Sequence, residues 1–437
     1  MKSVSLEYKE SCLLTPHELD SMLVSLKPEI ERVSKAYTRS YETDYASVHL
    51  PFDEDLLKAV NATIAEKRKL QPSLLVVVGI GGSNLGTLGV QQAIYGALYN
   101  ELNPEIKIYY ADTVDADHTY AILQMVEQEL QQNKNVIINL VSKSGSTTES
   151  IANFELFLDV IKRYKKDSYA ENIVVTTDAG SKLWHLAQQE KFSILEIPKL
   201  VGGRYSVLSA VGLFPLGLIG IDIDQLRAGA RSIVSSCTDM HNAAALSACI
   251  IAWHYAKGKN IHDTFLFSVA LEGIGRWYRQ LVGESLGKEY DRNGKLAERG
   301  ITPTISIGST DLHSVAQLYL GGPRDKFTSF VIVSETNEQL QIPDFPTFDA
   351  LVANIQKRSL ADVMHAIIQG TQIAYMHGRR PFVTWTLQEK SPFYIGQLLQ
   401  AKMIEMMYLG FLLNVNPFDQ PNVESYKQET RKILANE

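Results

Sequence analysis

At 437 residues, with 45% apolar and 21% charged residues, the chain has the proportions of a globular protein built from two or three compact units. Its 28 Gly and 15 Pro are spread without low-complexity runs or short-period repeats, which excludes disordered, fibrous and solenoid classes. The 42 Lys and Arg against 49 Asp and Glu leave a formal charge of −7, so no general cationic field serves nucleic acid or anionic lipid, and an anionic ligand needs a local site.

From Met1 to Asp20 the chain mixes Lys2, Glu7, Lys9 and Glu10 with isolated apolar residues and never builds the apolar segment of a signal peptide. Cys12, Cys237 and Cys249 are an odd count without CxxC spacing and read as free thiols in a reducing compartment. A cytoplasmic location is the expectation. Short β-branched runs then alternate with helical patterns: Leu74 to Val78, Ile106 to Tyr110, Val136 to Val141 and Ile173 to Thr176, followed by Phe265 to Val269, Thr304 to Ile307, Phe327 to Ser334 and Phe382 to Trp385. This alternation predicts an α/β fold of two tandem, doubly wound, mainly parallel sheets with ligand loops at their carboxyl edges. The boundaries expected are residues 1–200, 201–390 and a helical region at 391–437. The longest apolar stretch, Val207 to Ile221, contains Pro215 and three glycines and falls short of the roughly 20 residues that span a bilayer, so it reads as core rather than membrane segment. Pro392 to about Leu413 reads as a long helix whose Met403, Met406 and Met407 belong to core or subunit interface.

Val76-Val77-Val78-Gly79-Ile80-Gly81-Gly82-Ser83-Asn84-Leu85-Gly86 is a strand entering a glycine-rich turn. GxGxxG fails at Asn84, and the P-loop fails because Thr87 follows Gly86 in place of lysine, which disfavours a nicotinamide-dependent oxidoreductase. More informative is Ser142-Lys143-Ser144-Gly145-Ser146-Thr147-Thr148-Glu149, between a strand and a helix. Ser146 with Glu149 fits a capping box. A cap needs one hydroxyl, however, and the crowd of hydroxyls here suits a phosphate on the free N–H groups of a helix N-terminus.

Further along, Gly273 to Lys288 is helical by period. Gln280 and Glu284 share one face beside Gly283, whose presence suggests close approach by another group, while Glu284 and Lys288 have the spacing of an exposed ion pair. Arg204 follows Gly202 and Gly203 and suits either an anionic intermediate or a structural salt bridge. His313, after a strand, is expected to open a helix. Lys427 alone would read as a solvated terminal lysine.

Taken in order, GIGGSNLG, SKSGSTTE, GGRYSVLSAVG, QLVGESLGK, GSTDLHS and FDQPNVESYK resemble the glucose-6-phosphate isomerase family in its shorter bacterial form, over nearly the whole chain. The resemblance implies two sugar-isomerase (SIS) domains and a homodimer with sites near the subunit interface. It also implies interconversion of glucose 6-phosphate and fructose 6-phosphate through an enediolate, in glycolysis and gluconeogenesis. It carries over residue by residue. Ser142, Ser144, Thr147 and the Lys143 amide would hold phosphate, and Gly82 and Ser83 would contact the sugar. Glu284 would be the base, Arg204 would stabilise the enediolate and Gln280 would position the substrate. His313, from the neighbouring subunit, and Lys427 would open the ring. Asn422 stands where the family usually has Gly or Ala, and Lys199 where an acidic or small residue usually precedes GGR. Asn422 is expected to keep the loop by tolerating a left-handed conformation.

Proton transfer between adjacent carbons needs a mobile base, charge stabilisation and a proton shuttle, and no redox cofactor. The sequence contains no HExxH motif or other compact metal-ligand cluster, and no cofactor or metal is expected. The partners expected are a phosphosugar substrate and a second copy of the chain, with neither nucleic acid nor membrane. An isomerase that also handles mannose 6-phosphate, and a non-catalytic phosphosugar sensor, are competing readings. Only a catalyst has use for an aligned Glu284.

Overall fold

A computed structural model describes residues 3–435. Strands are numbered along the chain: β1 (Ser5–Glu7), β2 (Pro72–Val78), β3 (Lys107–Ala111), β4 (Asn135–Val141), β5 (Ile173–Thr177) and β6 (Ser193–Glu196). They continue as β7 (Ile261–Leu266), β8 (Lys288–Tyr290), β9 (Leu296–Arg299), β10 (Thr302–Ile307), β11 (Lys326–Val333) and β12 (Phe382–Leu387). One five-stranded sheet has the order β3-β2-β4-β5-β6, all parallel; a second has the order β1-β12-β11-β7-β10, parallel apart from β1. The expected α/β class holds, because Val-rich and Ile-rich strands such as Leu74–Val78 and Val136–Val141 are buried on both faces by helices.

β1 comes from the N-terminal region yet pairs with β12 of the second sheet, Leu6 opposite Trp385. The hairpin β8–β9 follows directly on the Glu284 helix and belongs to neither sheet. Phe267 to Val269, expected as strand, instead turn into a short 3-10 segment leading to the helix Glu272–Leu286.

The helix Pro392–Leu412 is buried from Ile395 to Gly410, Met403, Met406 and Met407 included, and packs chiefly against the helices Ile223–Ser236 and Ala243–Ala256. Its buried Lys402 and Glu405 pair at 3.0 Å, Tyr278 donates to Glu405 at 2.5 Å, and the Lys402 ammonium lies 4.1 Å from the Trp385 ring centroid. Pairing with hydrogen bonds is what makes such burial of charge tolerable. Val207 to Ile221 is largely helix, Ala210–Leu218, and is core. The three cysteines are buried and unbridged. No helix among the described residues is long and apolar enough to cross a membrane.

In the first sheet the strand order reverses between β2 and β4, which opens a crevice at the carboxyl ends of those two strands. The turns 79–84 and 142–147 leave from those ends, so chain topology alone places the glycine-rich and hydroxyl-rich loops side by side.

Candidate active site

β4 is followed by the hydroxyl loop and then the helix Thr148–Lys165. The expected Ser146–Glu149 capping box is not formed. Thr147 is the N-cap and makes no side-chain cap bond, while Ser146 Oγ turns back 3.2 Å to Ser144 Oγ. Ser142 Oγ lies 3.1 Å from Thr147 Oγ1. Gly145 supplies the tight corner at φ +67°, where an added Cβ would also fall 2.7 Å from Leu183 Cβ. The first-turn N–H groups of this helix thus lack a side-chain cap and stand beside three hydroxyls. That arrangement suits an anion. Lys143 is half-buried, and burial lowers its pKa; Asp178 opposes the shift and Lys199 adds to it.

The turn after β2 is pressed against the loop that carries Arg204. A Cβ on Gly82 would meet Gly203 C at 2.2 Å and Arg204 N at 2.5 Å, so only glycine lets the two backbones touch. Ser206 Oγ reaches the Gly82 carbonyl at 3.3 Å, and Ser83 is half-buried beside it. Gly81 approaches Gln280, whose Nε2 an added Cβ would meet at 3.0 Å.

Gln280 and Glu284 do share one face of the helix Glu272–Leu286, whose other face buries Ile274, Trp277, Tyr278, Leu281 and Val282. Gln280 Nε2 donates to Glu284 Oε1 at 2.9 Å, and Arg204 Nη1 to Glu284 Oε2 at 3.1 Å. The carboxylate is therefore held on both oxygens while its side chain stays 35% exposed. Gly283 meets no close neighbour. It is exposed, and an added Cβ would find only Pro303 Cγ at 4.0 Å, so the expected close approach is absent within the chain.

Arg204 is buried, and its five N–H donors are all engaged: Nε to Ser285 Oγ at 2.8 Å, Nη1 to Glu284 and to Gln420 Oε1 at 2.8 Å, and Nη2 to the carbonyls of Pro417 at 2.5 Å and Asp419 at 3.2 Å. Of the two readings of this residue, the salt bridge is the one formed within the chain, and it is made to Glu284. Gln420, which the sequence reading did not single out, joins the cluster from a distant loop; its place between Asp419 and Pro421 carries no local signal. Lys288 likewise departs from its expected exposed pairing. Its Nζ donates to the backbone carbonyl of Glu284 at 2.6 Å rather than to the carboxylate.

Two residues are not brought to Glu284 within the chain. His313 is exposed and ends a 3-10 turn, Thr310–His313, instead of opening a helix; the next helix starts at Ala316. It follows the carboxyl end of β10, Ile307, whereas Pro303 near the amino end of that strand faces Gly283, a separation along the strand of about 13 Å at 3.3 Å per residue. Lys427 lies on the surface helix Val423–Ala435 and pairs with Glu424 at 2.8 Å. Asn422 does not take a left-handed conformation; its Nδ2 donates to Glu289 Oε2 at 2.9 Å, which holds the loop another way. Among the described residues no group of three or more His, Cys, Asp and Glu is arranged for a metal ion.

Two five-stranded sheets, parallel apart from β1, with a hydroxyl-rich loop at the switch point of the first and a carboxylate held by guanidinium and amide, place the chain among doubly wound α/β proteins with ligand loops at strand carboxyl ends. Sequence comparison narrows this to one family. The model of the family described as Phosphoglucose isomerase matches residues 70–437, and the chain belongs to that family. It is 33% identical to a glucose-6-phosphate isomerase of Carboxydothermus hydrogenoformans, covering 95% of this chain and 88% of that one. It is also 33% identical to one of Exiguobacterium sibiricum, covering 100% and 96%. A crystal structure of a glucose-6-phosphate isomerase from Chlamydia trachomatis shares the fold, with TM-score 0.84 at 21% identity over 100% of this chain and 89% of that one.

Proposed function

We propose that the chain interconverts glucose 6-phosphate and fructose 6-phosphate, opening the ring and moving a proton between C2 and C1 through an enediolate. As an aldose–ketose isomerase it serves glycolysis and gluconeogenesis. The observation that carries this reading is the partly exposed Glu284 carboxylate gripped by Arg204 and Gln280, with Gln280 reached by the turn after β2, the neighbour of the uncapped, hydroxyl-lined turn after β4.

The phosphate dianion sits on the hydroxyls of Ser142, Ser144 and Thr147 and on the Lys143 amide, with Gly82 and Ser83 against the sugar. Binding energy from this remote group orients the reacting carbons. Glu284 removes the C2 proton of the open aldose; the C–H electron pair becomes the C1=C2 bond, and the aldehyde oxygen takes the negative charge. Protonation of Glu284 removes the anion to which Arg204 is paired at the moment when the enediolate needs one, so the guanidinium exchanges one partner for the other without moving far. Return of the proton to C1, with the O2 proton passing to O1, leaves the ketose. Gln280 keeps the carboxylate aimed.

His313 and Lys427 carry the ring-opening proton in this proposal. His313 stands past the carboxyl end of β10, while the Glu284 helix end lies toward the amino end of that strand; in this reading His313 serves the site of a second copy, so the working unit is a homodimer, acting in the cytoplasm. The units proposed are 1–200, 201–390 and 391–437, with β1 reaching across to the second sheet.

Glu284→Gln should keep phosphosugar binding and lose at least ~10²-fold in turnover, the lower range for loss of a general base. Incubation with fructose 6-phosphate in heavy water should place deuterium at C2 of the glucose 6-phosphate formed. Near-parent turnover in the variant would overturn the assignment of the base.

A further inference from the structure

The hairpin β8–β9 grips the segment that joins the helix Pro392–Leu412 to the helix Val423–Ala435. Arg299 donates to the Leu413 carbonyl, the Arg292 backbone N–H to Asn414 O at 3.0 Å and Arg292 Nε to Val415 O at 2.9 Å. Arg204 and Lys288 continue this line to Pro417 and Asp419, and Asn422 closes it on Glu289. Lys288 stands at the junction of hairpin, helix and loop. Its Nζ donates to Glu284 O at 2.6 Å and Asp419 O at 2.7 Å, and pairs with Asp419 Oδ1 at 3.3 Å. An ammonium has three N–H bonds, and these three acceptors take them, so no donor is left for a substrate. The side chain is only 4% exposed.

The helix end needs such a hold. Glu284 lies in the last turn, whose carbonyls lack the usual intrahelical partners, and it follows Gly283, which weakens a helix, three residues before Gly287 ends it. A cation at a helix C-terminus is also favoured by the dipole.

We infer that Lys288 is a positioning residue for the proton transfer: by tying the carbonyl of Glu284 to the backbone and carboxylate of Asp419, it fixes the helix end that bears the base against the loop that sets Gln420 on Arg204. This rests on the reading of Glu284 as base. Lys288 acts on where that carboxylate stands, whereas the phosphate site lies on another element and should bind as before.

The test uses Lys288→Met, which keeps the stem and removes the ammonium, and Lys288→Arg, which restores a donor for both carbonyls. Lys288→Met should lose about 10²-fold in kcat, the scale of a 1 Å misplacement, with KM for fructose 6-phosphate within about threefold of the parent. Lys288→Arg should recover at least about tenfold of that loss, which lost burial or bulk alone would not produce. A folded Lys288→Met with parent kcat, a loss shared equally by KM, or no recovery in Lys288→Arg would each overturn the inference. Should Lys288→Met fail to fold, Asp419→Asn decides: it keeps the backbone carbonyl and removes the ion pair, so a several-fold fall in kcat at unchanged KM supports positioning and parent kcat overturns it. Glu284→Gln is measured alongside. Its loss of turnover with an unaffected Lys288→Met sinks only the positioning role, and its near-parent turnover sinks both readings.

Discussion

Gly82→Ala tests whether the contact between the β2 turn and the Arg204 loop sets the catalytic geometry. The new Cβ would fall 2.2 Å from Gly203 C and 2.5 Å from both Arg204 N and Gly203 O, all backbone atoms that cannot swing aside. Carbon contacts settle near ~3.5 Å, so the two loops must part by about 1 Å. Arg204 resists on the other side through five hydrogen bonds to Ser285, Glu284, Gln420, Pro417 and Asp419. Either the glycine-rich turn after β2 retreats or the guanidinium loosens from Glu284. Displacement on this scale costs about 10²-fold in rate, while overpacking costs about 1–3 kcal/mol of stability. The expected result is a kcat/KM lowered about 10²-fold in a coupled assay of glucose 6-phosphate formation, in a variant that still melts cooperatively. Gly370→Ala is the control, since its Cβ would meet nothing within 4 Å and activity should stay at the parent level. A Gly82→Ala enzyme with kcat/KM within about threefold of the parent would refute the idea that this backbone contact positions Arg204.

Two further outcomes follow from the same geometry. Thr147→Val removes a hydroxyl that makes no cap bond, so the helix should be little affected while KM for either phosphosugar rises about tenfold or more, the value of one hydrogen bond to a charged group; an unchanged KM in steady-state kinetics would remove Thr147 from the phosphate site. Asp263 is buried in β7, where burial pushes its carboxyl up to about 6 against the hydrogen bonds from Thr304, Ser306 and Tyr319. The native chain thus holds a proton that the unfolded chain, titrating near ~3.9, has lost; stability falls by about 3 kcal/mol as pH rises across that window. Asp263→Asn keeps the accepting oxygen and should flatten that slope in denaturant titrations at pH ~4.5 and ~7, a parent-like slope telling against it.

Much of the architecture was legible locally. Runs such as Leu74–Val78 and Val136–Val141 announce buried parallel strands, and the i,i+4 spacing of Gln280 and Glu284 puts amide and carboxylate on one helix face, because both signals depend only on backbone period. The position of the hydroxyl loop between β4 and the following helix could be read because the period changes across it. β1 could not, since three residues carry no period and gain their place only by pairing with β12.

Side chains whose partners lie far along the chain were decided by folding. Arg204 could be read two ways until its partners, 80 to 216 residues away, came into view. Lys288, spaced as an ion-pair partner of Glu284, goes to that residue's carbonyl and to the distant Asp419, while Arg204 and Gln280 hold the carboxylate. Gln420 gave no signal at all. The Ser146–Glu149 pair that fitted a capping box leaves its helix uncapped, since Thr147 is the N-cap and Ser146 bonds within the loop. Periodicity records which face of an element a residue occupies; which distant group takes each donor and acceptor depends on packing that brings separate loops into contact, and that is where the chemistry of this protein was set.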